Sequence, residues 1–313
     1  MDNIRRILIV HSSHSTRANR YDLVRRDLAK LASARGWGLN EIMLDNLPYY
    51  AAVKKVLSEL ADGDLVVAAG GDGIAQVSFN AVYFAKSKPN IIFTTIPLGN
   101  GNDISRAFNG RRRSVGAILS QPVTDFYPLN VAADGKIVLT VASYVTFGAT
   151  TVLVDYLNRE NGRRARQLLK NLTPAAAIPV TKLPDISTAI SQLDFPDFNR
   201  DGTPLTDDSI GFFLIPAAHN VLRLPKDITL AGSEFFFHHA ITKDKKLIGK
   251  IIMAGAWTLH FPGQMTELEE LTFVNNAGDI IANVSGDNVN LGPISHISAI
   301  RSTRPVKILF NKK

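Results

Sequence analysis

Two short glycine–acid segments carry the chemistry of this sequence, Gly70-Gly71-Asp72-Gly73 and Gly99-Asn100-Gly101-Asn102-Asp103. Each follows an apolar run that reads as a strand, Leu65 to Ala69 before the first and Ile91 to Ile96 before the second. Glycines let backbone N–H groups approach a phosphate closely, and a carboxylate beside them can hold Mg²⁺ directly or through water. A helix read over 74–86, with Ile74, Val77, Ala81 and Phe84 as its apolar stripe, starts directly after Gly73. Its N-terminus, with free N–H groups and a positive dipole end, would face the phosphate. Asp103 also fits the ordinary role of a helix N-cap. Two such loops after neighbouring strands point to a nucleotide site.

The elements that must position these loops alternate through the first third of the chain. Ile7 to Val10, Leu39 to Leu44, 65–69 and 91–96 read as strands. Between them Val24, Leu28 and Leu31 recur at helical spacing up to Gly36, and Tyr49 to Leu60 reads as a helix with Pro48 suited to its first turn. This alternation predicts an α/β fold, a doubly wound parallel sheet with helices on both faces and ligands beyond the carboxyl ends of the strands.

The pattern changes after about Thr124. Phe126 to Ala132 and Ile137 to Thr146 flank Asp134-Gly135, a pair that favours a tight hairpin turn. Short strand-like runs follow: Ile210 to Ile215, Phe235 to Ile241, Leu271 to Val274, Ile280 to Val284 and Val306 to Phe310. Helical stretches are read only near 160–172 and 245–256, and 184–208, with Pro184, Pro196 and Pro204, reads as a long irregular loop. The expected division is an α/β nucleotide domain over 1–125 and a mostly antiparallel β-rich domain over 126–313, with a C-terminal strand near 305–313 returning to the first.

Composition sets outer limits. The chain has 313 residues, 45% of them hydrophobic and 20% charged, as in an ordinary globular protein long enough for two cores. No apolar run is long enough to span a bilayer, and the four apolar residues before His11-Ser12-Ser13 are too few for a signal-peptide core, so a cytoplasmic location is expected. The absence of cysteine excludes disulfides, thiolate catalysis and thiolate-ligated zinc. A net charge of +7 fits an anionic partner, or a solubilising surface alone. Nucleic acid is set aside because no helix-turn-helix, aromatic RNA-binding or zinc-finger pattern is present. Peripheral contact with an anionic membrane surface fits the basic stretch Arg163, Arg164, Arg166 and Lys170 with Leu168, Leu169 and Leu172. A homodimer stays open.

The first loop, followed by Pro97-Leu98-Gly99-x-Gly101-Asn102-Asp103-x-x-Arg106, resembles the diacylglycerol kinase catalytic domain, a superfamily that includes bacterial lipid kinases and the sphingosine and ceramide kinases. The resemblance is clear over about 1–150. It implies an ATP- and Mg²⁺-dependent kinase acting on a lipid hydroxyl of the diacylglycerol, sphingoid base or ceramide type. Gly70, Gly71, Gly73, Gly99, Asn100, Gly101 and Asn102 would hold the nucleotide, joined by the Ser12 and Ser13 hydroxyls. Asp72, Asp103 and Asp125 would organise the metal, with Asp72 or Asp287 taking the acceptor proton.

The chain departs from the family pattern at several places. His11-Ser12-Ser13-His14-Ser15 stands where members commonly have Asn-Pro-x-Ser-Gly, Ile74 where Thr is usual, and Ala75-Gln76 where Asn-Glu is usual. Asn100 replaces a Thr, Ser285-Gly286-Asp287 stands for Asp-Gly-Glu, and Ala231-Gly232-Ser233 for Asp-Asp-Gly. A kinase of a small soluble acceptor and a non-catalytic nucleotide or lipid binder therefore stay open beside the lipid kinase.

Overall fold

The structure, a computed structural model, describes residues 3–99, 102–110, 112, 114–158, 183–192, 199–200, 203–204, 209–215, 235–241, 243–248, 263–274, 279–284 and 287–310. The chain forms two compact units, Met1–Pro128 with Thr303–Lys313, and Leu129–Ser302.

In the first unit β1 (Arg6–His11), β2 (Gly38–Met43), β3 (Asp64–Gly70), β4 (Ile92–Pro97), β5 (Val123–Phe126) and β18 (Val306–Leu309) build one sheet in the order β2-β1-β3-β4-β18-β5. All pairings are parallel except β18 with β5. The helices are α1 (Tyr21–Arg35), α2 (Tyr49–Glu59), α3 (Asp72–Phe84), α4 (Asp103–Asn109) and α5 (Val115–Leu119). On one face Ile7, Ile9, Leu65, Val67 and Ile92 pack with α1 through Val24 and Leu28, and with α5 through Ile118. On the other, Phe79 of α3, Phe93 of β4, Phe108 of α4 and Phe126 of β5 form a ring cluster with centroids 5.1 to 6.3 Å apart. Cover on both faces explains why all seven residues of β3 are buried and why its sequence is a continuous apolar run rather than an alternating one.

Opposite the glycine loops, at the start of β3, Asp64 is 1% exposed and holds Arg6 through bonds of 2.8 and 2.6 Å while accepting the Ala61 N–H at 2.7 Å. Asp64→Ala strands a half-buried guanidinium and a backbone donor. A loss of about 2–3 kcal/mol is expected, below the range for fully buried pairs because Arg6 keeps some solvent contact. The check is a lowered urea midpoint with an unchanged m value.

The described residues of the second unit form two six-stranded sheets, and every pairing recorded in them is antiparallel. The first is built from β6 (Leu129–Ala133), β7 (Lys136–Val141), β9 (Asn199–Arg200), β10 (Thr203–Pro204), β14 (Glu270–Val274) and β17 (His296–Arg301). The second is built from β8 (Val145–Gly148), β11 (Ser209–Ile215), β12 (Phe235–Ile241), β13 (Gly263–Leu268), β15 (Asp279–Val284) and β16 (Asp287–Pro293). The β6–β7 hairpin turns on Asp134 and Gly135 with φ of 45° and 77°, the left-handed pair that an Asp-Gly turn supplies.

Two helices differ from expectation. α6 (Ala149–Asn158) packs against β8, β15 and β16, and α7 (Leu183–Ser191) packs on α6. α7 occupies a segment whose prolines read as loop signals. Pro184 instead sits in its first turn, where a missing N–H costs nothing, and Ile186 and Ile190 bury one turn apart. The helix expected near 160–172 lies outside the described residues, as does most of 245–256, of which 245–248 is helical.

Candidate active site

Parallel register brings four chain segments to one edge of the first sheet. His11 pairs across to Met43 and Ala69, and Gly70 pairs to Pro97, so the segments after β1, β2, β3 and β4 all leave at the carboxyl edge. That edge is where open α/β sheets bind ligands.

The two glycine loops meet there backbone to backbone. The Leu98 N–H donates to the Gly70 carbonyl at 2.9 Å. A Cβ at Gly99 would fall 2.4 Å from the Gly71 Cα, and one at Gly70 would fall 2.8 Å from the Ile74 Cβ. Asn102 closes the second loop on itself. It adopts a left-handed φ of 59°, its Oδ1 accepts the Gly99 N–H at 3.0 Å, and its Nδ2 donates to the Gly99 carbonyl. Asparagine tolerates this backbone region better than most residues. Its side chain thus shapes the loop, whereas Asn100 and Gly101 lie outside the described residues.

Asp72 follows as the first residue of α3 and is 8% exposed. Its Oδ1 accepts the Ile104 N–H at 2.9 Å, and the Asp103 N–H also donates to its carboxylate. One carboxylate therefore opens α3 and caps α4. Burial, and after it the charge of Asp103, push the Asp72 carboxyl up to about 7 against the pull of the two N–H groups. Burial raises Asp103 as well, offset by Arg106, whose guanidinium lies 3.0 Å away. Two adjacent acids that resist joint ionisation form a site a divalent cation would relieve. Gly73 lies within the first turn of α3.

The other expected residues are placed differently. The Ser12 and Ser13 hydroxyls both donate to Asp45, at 2.7 and 2.5 Å, and the Ser13 N–H donates to the same carboxylate at 2.9 Å. Asp45, in the loop after β2, had no sequence signal because the contact spans 33 positions. Asp125 is exposed on the edge strand β5 and pairs with Lys307, in the register row of Ile92 and Leu65. That row lies five residues, about 17 Å, before the glycine edge along the strands. Asp125 is therefore not brought to Asp72 and Asp103. Among the described residues no group of three or more His, Cys, Asp or Glu side chains could hold a metal ion.

Asp287 opens β16 in the second unit, across from Val284. The neighbouring Asn288 is fixed there, donating to the Thr151 carbonyl at 2.8 Å and accepting from Asn283 at 3.1 Å. Ser285, Gly286 and 231–233 lie outside the described residues.

Residues 6–124 match the family model for the diacylglycerol kinase catalytic domain. No curated protein matches the chain. Three solved structures from Bacillus anthracis str. Sterne are similar in fold. Two are provisionally named diacylglycerol kinases, with TM-scores of 0.65 and 0.63 and identities of 14% and 12%, each covering 99% of this chain and 98% of the other. The third, named a diacylglycerol kinase, has a TM-score of 0.58 at 11% identity and covers 98% of this chain and 97% of its own. Residues 6–124 thus resemble the diacylglycerol kinase catalytic domain, and over the chain as a whole the likeness to these structures is one of fold.

Proposed function

We propose that this protein is an ATP- and Mg²⁺-dependent lipid kinase that phosphorylates a lipid hydroxyl from a peripheral position on a cytoplasmic membrane surface. The observation that carries the reading is the pairing of buried Asp72 with half-buried Asp103, set against two glycine loops in backbone contact. Phosphoryl transfer needs positioning and charge neutralisation more than covalent help, and these parts supply both.

The donor set fits a divalent cation. Asp72 and Asp103 would hold it, and Asp125 stays apart from them in the first sheet. When bound, Mg²⁺ neutralises phosphate charge. The backbone around Gly70, Gly71 and Gly99 offers a surface without side chains on which phosphates can lie, and Asn102 keeps that surface in shape. The Asp72 carboxyl, raised to about 7 before a cation binds, is one candidate for taking the acceptor proton. Asp287 is the second candidate for that role.

Label transfer from γ-labelled ATP into a mixed-micelle lipid panel tests this reading. A labelled lipid is the expected result, and label found only in soluble acceptors would overturn it. A second reading, a nucleotide or lipid sensor without turnover, is favoured by the capture of both serine hydroxyls by Asp45. It predicts nucleotide binding with no labelled product of either kind.

A further inference from the structure

The first unit carries an exposed apolar and basic surface that the nucleotide site does not use. Its position, stitching and charge each bear on what it meets. Leu23, Met43, Leu47 and Tyr50 are 52%, 52%, 39% and 40% exposed. Met43 ends β2, Leu47 lies in the loop that follows, and Tyr50 and Leu23 sit in the first turns of α2 and α1. Met43, Leu47 and Tyr50 follow one another through the turn from β2 into α2, and Leu23 lies at the same carboxyl edge as the glycine loops, after β1.

The two loops that form this corner are tied together. Besides the Ser12 and Ser13 bonds to Asp45, the Leu44 N–H donates to the His11 carbonyl at 3.0 Å and His14 Nε2 lies 3.2 Å from Asn46 Oδ1. Lys55 Nζ donates to the Met43 carbonyl at 2.9 Å, which joins α2 to the same corner. The Asp45 bridge thus holds an apolar loop against a basic one.

Charge selects the occupant. Segments 11–25 and 43–55 hold Arg17, Arg20, Arg25, Lys54 and Lys55 against only Asp22 and Asp45. Asp45 accepts from serine donors and stays charged, and nearby Glu41 pairs with Arg25 at 2.6 Å and accepts from Tyr21 at 2.7 Å, which leaves Arg17, Arg20, Lys54 and Lys55 against Asp22 and Asp45. Tyr50 and Lys54 stand one helical turn apart, both exposed, so an aromatic ring and an ammonium project together. Exposed apolar side chains with an excess of cations on the same segments match the interface of an anionic bilayer, with the chains in the acyl boundary and the cations at the headgroups.

We infer that the corner formed by Met43, Leu47 and Tyr50 with Arg20 and Lys54 docks the protein on an anionic lipid surface. The inference rests on the lipid-kinase reading for its purpose, since it turns the glycine-loop edge toward the bilayer that would supply the acceptor. It does not rest on that reading for its test, because vesicle binding needs neither nucleotide nor turnover.

The experiment is co-sedimentation of the full chain with vesicles of phosphatidylcholine, alone or mixed with phosphatidylglycerol. The parent protein is expected to sediment with the mixed vesicles and weakly with phosphatidylcholine alone. Leu47→Ser with Tyr50→Ser is expected to weaken partition by about tenfold or more. Arg20→Gln with Lys54→Gln is expected to do so by about tenfold or more and to remove the preference for phosphatidylglycerol. All four side chains are exposed, so both variants should melt with the parent. Failure of the parent to bind mixed vesicles, or variants that bind as the parent does, would overturn the inference. Self-association of the parent that ignores vesicles and is lost in the apolar variant would overturn it in favour of a second copy.

Discussion

Asp72→Asn is expected to abolish phosphoryl transfer while making the folded protein more stable at neutral and alkaline pH. The activity loss follows from removing one of two acids at the loop junction and should reach on the order of 10³-fold. The stability gain follows from the sign of the titration. The Asp72 carboxyl is raised in the folded state to about 7 by burial and by Asp103, whereas in the unfolded chain it titrates near its ordinary value. Between those values the folded state holds a proton that the unfolded state has released, so stability falls as pH rises through the window. Below it neither state is charged and the cost vanishes, and above about 7 the cost is complete.

The amide of the variant never carries that cost, and its oxygen can still accept the Ile104 N–H. After allowance for the weakened bond from Asp103, a net gain on the order of 2 kcal/mol is expected at pH 8 and none near pH 4. Urea unfolding of parent and variant across that range is the check. A variant less stable than the parent at pH 8 would mean that capping α4 outweighs the buried charge.

Gly99→Ala should be the most damaging small substitution in the first unit. The added methyl would sit 2.4 Å from the Gly71 Cα and 3.1 Å from its nitrogen, so backbone must move. A cost of about 1–3 kcal/mol and loss of nucleotide binding are expected, since the contact that yields is the one joining the loops. Gly71→Ala makes the comparison informative. Its methyl meets the Gly99 Cα at 3.4 Å, with an extended φ of −90° that alanine adopts freely. Its stability cost should stay below about 1 kcal/mol. Gly70→Ala, at 2.8 Å from the Ile74 Cβ, should fall between them. Thermal melts and nucleotide titrations of the three variants give the order, and equal effects would mean that the loops are not held by this contact.

The sheet of the first unit was legible because its signals are local. A fully buried parallel strand is a continuous apolar run, and β3 and β4 read as such, each ending in its glycine segment. The Asp134-Gly135 turn was legible for the same reason, as two left-handed residues in sequence. α6 and α7 were not, since they pack on each other and α6 packs on β11, β15 and β16, which are distant in the chain. β16 and β17 were missed because one-sided sheet strands with polar residues, such as Asn288 and Asn290, lack an apolar run.

At the site, spacing along the chain identified Asp72 and Asp103 but not what each touches. That Asp72 caps α4 depends on a bond across 32 positions, and that Asp45 takes the Ser12 and Ser13 donors depends on β1 and β2 lying side by side. Asp125 shows the converse. It follows the second loop closely in sequence, yet pairing with Lys307 places it toward the other end of the sheet.

The measurement that tests the central claim most directly is calorimetric titration of the protein with a preformed Mg²⁺ complex of a non-hydrolysable ATP analogue, in buffers of different ionisation enthalpy. If Asp72 and Asp103 form the cation-dependent nucleotide site, binding at pH 6.5 releases between about half a proton and one proton, and at pH 8.5 almost none. Asp72→Asn should remove that release and weaken binding by at least about tenfold. Tight binding that releases no proton at pH 6.5 and is indifferent to Asp72→Asn would place the nucleotide elsewhere and contradict the account.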